Sequence, residues 1–306
     1  MNGILLLEQS LNGLQFGLML FLLAAGLTLV FGIMDMINLA HGSLYMVGAY
    51  CIASVAAATG SFWMGLAGGV VATAVFGILL EVGILRKLYA RDHLSQVLGT
   101  FAILLMCNET VRLIWGAQPI SLNPPEALSG PVELLPGLMY PAYRLLIIGV
   151  GLLVALLLYV LITRTRVGMQ VRAGAANRDM AMAMGSHVQG LFTAVFGVGA
   201  ALCAVAGGML GPLLAVQVGM GESILILAFV VIVIGGIGSI RGAFLGALLV
   251  GFVDTAGRTL VPMVFDSLLS PEAASNAGPA VASILIYVLM ATVLFFKPRG
   301  LFPTHG

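Results

Sequence analysis

The sequence contains few charged residues. Only 8% of its 306 residues are charged, whereas soluble domains carry about 25%. Such a composition cannot cover a water-facing surface. Sixty per cent of the residues are hydrophobic, and they recur in windows of about 20 residues, the length that a helix needs to cross a bilayer. We therefore predict an all-α, polytopic membrane protein in which residues 1–306 form a single transmembrane domain.

Other absences exclude whole classes of function. The net charge is +1 without a basic patch, so nothing indicates nucleic-acid binding. The three cysteines lie far apart in apolar stretches, which fits neither a disulfide framework nor a metal site. Lys87 and Lys297 are the two lysines, and neither belongs to a Gly-x-x-x-x-Gly-Lys-Ser/Thr loop that would bind ATP. We expect a non-catalytic chain that binds no cofactor or metal itself.

The apolar windows predict eight or nine membrane-crossing or re-entrant helices. They fall at residues 10–33, 41–60, 62–85, 95–115, 143–163, 189–211, 223–237, 243–261 and 278–296. The seventh window is short and ends in glycines, so it is either a full crossing or a half-helix.

Positive charge predicts the orientation, because cytoplasmic loops are enriched in Lys and Arg. If nine spans alternate, ten of the 13 cations fall on one side. This places the N-terminus outside and the C-terminus in the cytoplasm. Residues 164–188 then form a cytoplasmic loop, and residues 116–142 and 262–277 form external loops. The external loops either dock an external partner or merely cap the bundle.

A polar break between the first two windows reads Asn-Leu-Ala-His-Gly-Ser over residues 38–43. Hydrocarbon offers such groups no hydrogen-bond partner, so they need protein partners or water. We interpret the break as a substrate pathway or gate, with a surface turn as the alternative. The predicted orientation puts it near the cytoplasmic end of the first two spans, which favours a gate over a midplane site. The candidate residues are Asn38, His41, Gly42, Ser43 and Tyr45.

A second break is rich in glycine, which unwinds helices. Its candidate pathway residues are Gly235, Gly236, Gly238 and Ser239. Interrupted segments in both halves of a chain are typical of a midplane substrate pathway. The alternative is an ordinary cytoplasmic turn, which the nearby Arg241 favours.

Four carboxylates within or near span ends are functional hypotheses by default. Three have an arginine nearby, and we interpret them as structural pairs: Glu81 with Arg86, Glu109 with Arg112, and Asp254 with Arg258. The fourth, Glu222, opens the seventh window.

The predicted cytoplasmic loop of residues 164–188 is helix-compatible in its later half. Met180, Ala181 and Met184 place a small apolar knob on one helical face. Such a helix suits insertion into a groove on another protein, and a helix lying in the lipid headgroups is the alternative. The residues assigned to docking are Arg172, Gly174, Asn177, Asp179, Met180, Met184 and Gly185.

Several segments together resemble one family. Residues 26–32 and 37–46 resemble the N-terminal signature of branched-chain amino acid ABC transporter permeases, in particular the LivH-like subunit. Residues 163–185 resemble the loop of that family that contacts the ATPases. Residues 235–243 resemble its glycine-rich motif, and residues 297–302 its C-terminal segment.

The resemblance implies a permease subunit of an ATP-driven importer in the bacterial inner (cytoplasmic) membrane. Its solute would be a branched-chain amino acid or a similar small polar molecule. The implied partners are a LivM-like second permease, two cytoplasmic ATPases that bind ATP and Mg, and an external substrate-binding protein. Related permeases for urea, amides, aromatic acids or sugars are alternatives, and an ion-coupled secondary transporter is the rival from another class.

Overall fold

The structure is a computed structural model that describes residues 3–34, 36–185, 187–268 and 271–302. Within these ranges, eight helices are long and apolar enough to cross a membrane, and a ninth apolar helix is shorter. The predicted fold class, a polytopic all-α membrane protein, is confirmed. The orientation of the termini stays a prediction.

The first half of the chain forms an antiparallel series of helices. They are α1 (Gly3–Met34), α2 (His41–Thr59), α3 (Phe62–Leu80), α4 (Arg86–Leu88) and α5 (His93–Trp115). A π-helical turn over Glu81–Leu85 joins α3 to α4, so the span continues from Phe62 to Leu88. Asp92 caps α5 by accepting a hydrogen bond from the Ser95 backbone N–H. The hydrogen bonds from Ser95 also hold the pKa of the Asp92 carboxyl below its ordinary value.

Residues 116–142, predicted as an external loop, contain regular structure. Strands β1 (Pro131–Leu135) and β2 (Leu138–Pro141) form an antiparallel hairpin. The buried Tyr140 donates its hydroxyl to Asn12 Oδ1 of α1 at 3.0 Å. The Arg144 guanidinium donates to the same oxygen at 2.5 Å. The hairpin is therefore anchored to the N-terminal part of α1.

The second half of the chain contains seven helices in the described residues. They are α6 (Ala142–Arg164), α7 (Arg166–Ala176), α8 (Arg178–Ala183), α9 (Val188–Leu214), α10 (Met220–Gly235), α11 (Ile240–Leu268) and α12 (Pro271–Phe296). Helix α10 has 16 residues, about 24 Å, which is shorter than the roughly 30 Å of a bilayer core. It is therefore too short for a full perpendicular crossing.

The prediction of a loop over residues 262–277 is wrong in its secondary structure. Helix α11 continues through Pro262 to Leu268, and α12 already begins at Pro271. Prolines are tolerated inside membrane helices where neighbouring groups satisfy the freed backbone. Here the Gly278 backbone lies against Pro262, since a Cβ at Gly278 would be 3.2 Å from its ring. The two helices thus pack closely where the sequence suggested a loop.

Helix α1 lies at the centre of the bundle. It packs against α6, α9, α10 and α11, and its side chains from Leu18 to Ala25 are almost completely buried. A helix that is apolar on all sides is stable only when it is surrounded. By contrast, α5 packs chiefly against α2 and leaves large side chains such as Phe101, Met106 and Leu113 exposed. Its outer face is thus available to lipid or to another subunit.

Candidate functional site

The polar break over residues 38–43, where α2 begins, lies in the middle of the bundle. His41 Nε2 is 3.1 Å from Cys203 Sγ, and the backbones of Gly26 and Gly199 close around the same imidazole ring. Cys203 stands 15 residues after the start of α9 and 11 before its end. At 1.5 Å per residue these separations are about 22 and 16 Å. The predicted position near the cytoplasmic end of two spans is therefore wrong.

The non-helical chain between α1 and α2 explains why the polar break lies at mid-depth. Residues 36–40 are not helical, and they run back into the bundle beside α5. The Thr100 hydroxyl, about 10 Å along α5 from its start, lies 3.5 Å from the Ile37 carbonyl oxygen. Asn38 Oδ1 accepts a hydrogen bond from the Ala40 backbone N–H at 3.0 Å and supports the turn. Because of this return segment, α2 begins at mid-depth.

Helix α10 also begins at this depth. Its Gly221 backbone packs directly on Gly42, and a Cβ at either position would overlap the other backbone. Gly219, in the left-handed conformation with φ 83°, precedes α10. The N-termini of two interrupted helices therefore meet inside the bundle, an arrangement typical of substrate sites in membrane carriers.

The polar side chains at this junction are enclosed and incompletely hydrogen-bonded. Within the described part of the chain, Asn38 Nδ2 has no hydrogen-bond partner. A buried polar group without a partner costs about 1–3 kcal/mol. The junction is thus closed in this conformation, yet it offers hydrogen bonds that water or a polar solute would satisfy. The buried candidates are Asn38, His41, Ser43 and Tyr45.

A further polar pair lies beside the junction. Asn108 Nδ2 of α5 donates a hydrogen bond to Glu222 Oε1 of α10 at 2.6 Å. Glu222 is among the carboxylates that the sequence singles out, whereas Asn108 is not. No sequence signal connects two residues 114 positions apart, so only the folded structure reveals the pair.

The glycine-rich break forms a tight turn between α10 and α11. Gly236 and Gly238 have φ angles of 103° and 80°, which favour glycine. The C-terminal segment seals the turn, because the Phe302 backbone N–H donates to the Gly235 carbonyl at 2.9 Å. Gly32, near the end of α1, packs on Gly238. This geometry favours the turn over an open pathway, and it keeps Gly235, Gly236, Gly238 and Ser239 away from the His41 junction.

The segment predicted as a cytoplasmic loop contains two short helices, α7 and α8. The Thr165 hydroxyl caps α7 by accepting from the Gly168 backbone N–H at 3.1 Å. The Arg172 guanidinium donates to the Ile162 carbonyl at the end of α6, and Gly174 is buried. Arg172 and Gly174 therefore attach α7 to the bundle. The assignment of Arg172 and Gly174 to ATPase docking stays a prediction.

Two exposed methionines lie in α8 and directly after it. Asn177 caps α8, because its Oδ1 accepts from the Met180 backbone N–H at 2.9 Å. Met180 and Met184 are 61% and 80% exposed, whereas Ala181 is buried. The predicted three-residue knob is thus wrong for Ala181, whose small side chain packs inward. Gly185 (φ 83°) follows α8, and the side chain of Asp179 lies outside the described residues.

The three predicted ion pairs are present. The buried Glu81 carboxylate accepts hydrogen bonds from Arg86 at 3.1 Å, Tyr89 at 3.1 Å and Thr193 at 2.8 Å. This network connects the π-helical turn to α9. The other two pairs have N–O distances of 3.3 and 2.9 Å, Arg112 with Glu109 and Arg258 with Asp254.

The apolar spans and the two helices that begin at mid-depth define a multi-pass membrane protein of the transport class. The chain belongs to the family described as branched-chain amino acid transport system / permease component, whose model matches residues 9–294. The protein is therefore a permease component of an ABC transport system.

Two curated relatives match nearly the whole chain. The high-affinity branched-chain amino acid transport system permease protein BraD of Pseudomonas aeruginosa is 31% identical, over 96% of this chain and 95% of its own. The permease protein LivH of the corresponding high-affinity system of Escherichia coli is 28% identical, over 96% of this chain and 94% of its own. No solved structure matches.

Proposed function

We propose that this chain is the transmembrane permease subunit of an ATP-driven importer for branched-chain amino acids or a similar small polar solute. The observation that carries the proposal is the mid-depth junction, where α2 and α10 begin at Gly42 and Gly221. An unpaired polar atom, Asn38 Nδ2, lies there. The solute class follows the names of BraD and LivH. The bacterial inner membrane is its expected location.

The chain needs partners for this function. It has no P-loop, so two cytoplasmic ATPases would bind ATP and Mg. A LivM-like second permease and an external binding protein complete the proposed system. The exposed Met180 in α8 and Met184 directly after it suit insertion into a groove on an ATPase.

The packing offers a route from the ATPases to the junction. Helix α8 packs on α9, and α7 packs on α1, α6 and α9. The His41 ring lies between Gly26 of α1 and Gly199 of α9. When ATP closes the ATPases, movement of α7 and α8 would shift α1 relative to α9. The space around His41 would then open or close, which switches access to the solute.

The direct test is uptake by the assembled system in proteoliposomes. Labelled leucine should accumulate only with ATP on the ATPase side, and an uncoupler should leave uptake unchanged. Two ATPase bands and a second permease should co-purify in mild detergent. If an uncoupler abolishes uptake and ATP depletion does not affect it, the protein is a secondary transporter instead. If the system takes up urea, an amide, an aromatic acid or a sugar with ATP but takes up no leucine, the proposed solute is wrong.

A further inference from the structure

The pair formed by Asn108 and Glu222 lies at membrane depth. Glu222 is in the first turn of α10 and directly follows Gly221, which packs on Gly42. Asn108 stands 15 residues after the start of α5 and seven before its end, about 22 and 10 Å along the helix axis. Both side chains are therefore placed within the spanning region, level with the start of α2.

This pair lies on a face that the chain itself leaves uncovered. Glu222 is exposed and Asn108 is half-buried. An ionised carboxylate that faces lipid at this depth is costly, so such groups face water or a polar partner. The face beside α5 and α10 therefore borders a polar space in the assembled transporter.

The charge on this face is not balanced within the chain. Glu109 and Arg112, also exposed on α5, neutralise each other at 3.3 Å. In the part of the chain that the structure describes, Glu222 forms no ion pair with a Lys or Arg. One negative charge is therefore left over at the edge of the polar space.

The hydrogen bonding of the pair leaves acceptors free for a ligand. Asn108 uses an amide N–H to bond Glu222 Oε1, and the described residues provide no further donor to Asn108 Oδ1 or Glu222 Oε2. Both oxygens are hydrogen-bond acceptors, and the one on Glu222 belongs to a carboxylate. An ammonium group carries three N–H donors and a positive charge, and its bonds to a carboxylate are charge-assisted.

We propose that Glu222 and Asn108 bind the ammonium group of a zwitterionic solute on its way through the permease. The proposal rests on the proposed function, which brings such a solute to this depth. The ammonium site also narrows the class of transported solutes to zwitterions, because the Glu222 carboxylate repels an anion that lacks an ammonium group. A neutral amide or urea gains no ionic bond there.

The first experiment measures uptake by the complete transporter carrying Glu222→Gln. A hydrogen bond to a charged group contributes enough to change a rate about ten- to hundredfold, so leucine uptake should fall by that factor. Assembly and ATP hydrolysis should persist, and Glu222→Asp should recover part of the rate. The matched control replaces the neutral pair, Glu109→Gln with Arg112→Gln, and should stay within about twofold of the parent.

Two outcomes of this experiment would overturn the proposal. Unchanged uptake by Glu222→Gln would show that the carboxylate does not contact the solute. Loss of the second permease from the purified Glu222→Gln complex would show that Glu222 instead pairs with that subunit.

The second experiment detects the bound group directly through a cysteine at Ser223, which is exposed beside Glu222. The three native cysteines are replaced by alanine, and Ser223→Cys is labelled with a water-soluble thiol reagent. Leucine should slow labelling, whereas 4-methyl-2-oxopentanoate, the same skeleton without the ammonium group, should not. Adding Glu222→Gln should remove the protection by leucine. Equal protection by both compounds, or none by either, would contradict the ammonium site.

The two proposals fail in different ways. If the parent complex shows no ATP-driven uptake of any amino acid, the proposed function is wrong. Protection of Ser223→Cys by methylammonium would still support an ammonium site in that case, and its absence would overturn the site. If Glu222→Gln transports normally, the ammonium site is wrong and the proposed function stands.

Discussion

Replacing Gly42 by valine should separate the two helices that begin at mid-depth. A Cβ at Gly42 would lie 2.5 Å from the Gly221 carbonyl oxygen and 3.0 Å from Leu225 Cβ. Non-bonded contacts are optimal at about 3.5–4.0 Å, so α2 and α10 must move apart by about 1 Å. Overpacking of a tight core costs about 1–3 kcal/mol. Valine, larger than a single methyl group, should reach the upper end of that range.

The matched control is Gly149→Val. Gly149 lies within α6, and no atom would come within 4 Å of a Cβ there. Both variants exchange glycine for valine in a helix, so the change in helix propensity cancels in the comparison. Thermal unfolding of the purified complex should give a midpoint for Gly42→Val lower by roughly 6 °C or more, together with reduced leucine uptake. Equal midpoints and equal uptake for the two variants would refute the close contact between α2 and α10.

Two further predictions concern the ends of the bundle. Met180→Asp with Met184→Asp should abolish co-purification of the ATPases, because charged groups do not enter an apolar groove, while Met139→Asp in the hairpin should leave it intact; retained ATPases would contradict docking through α8. Thr193→Val should lower the free energy of unfolding by about 1–3 kcal/mol, since it removes a hydroxyl that donates to a buried carboxylate. Thr292→Val, which removes a hydroxyl that donates to the Val288 carbonyl of its own helix, should cost much less. Equal denaturation midpoints for the two threonine variants would contradict that role.

The sequence was sufficient to predict most of the helices. The window predicted at residues 95–115, for example, corresponds to α5 at His93–Trp115, because apolar length is a direct consequence of bilayer thickness. Ion pairs within one helix were also predictable, since residues three or four apart share a face. Glycine content indicated close packing without showing which backbones meet.

Depth and long-range pairing were not predictable from the sequence. Counting spans assumes that each helix crosses the whole membrane, so the return of residues 36–40 into the bundle displaced the polar break from its expected position. The inward face of Ala181 depends on how α8 packs against α9, which periodicity over six residues does not determine. The prediction of a loop at residues 262–277 was wrong because Gly278 of the neighbouring helix leaves room for Pro262 within α11.

The central claim is that solute passes the junction of α2 and α10 at mid-depth. It is tested most directly by labelling Ser43→Cys in the assembled transporter after the native cysteines have been replaced. Ser43 is buried in the closed conformation, so a water-soluble thiol reagent should react slowly at rest and much faster while ATP is hydrolysed in the presence of solute. Equally slow labelling at rest and during turnover would contradict a pathway through this junction.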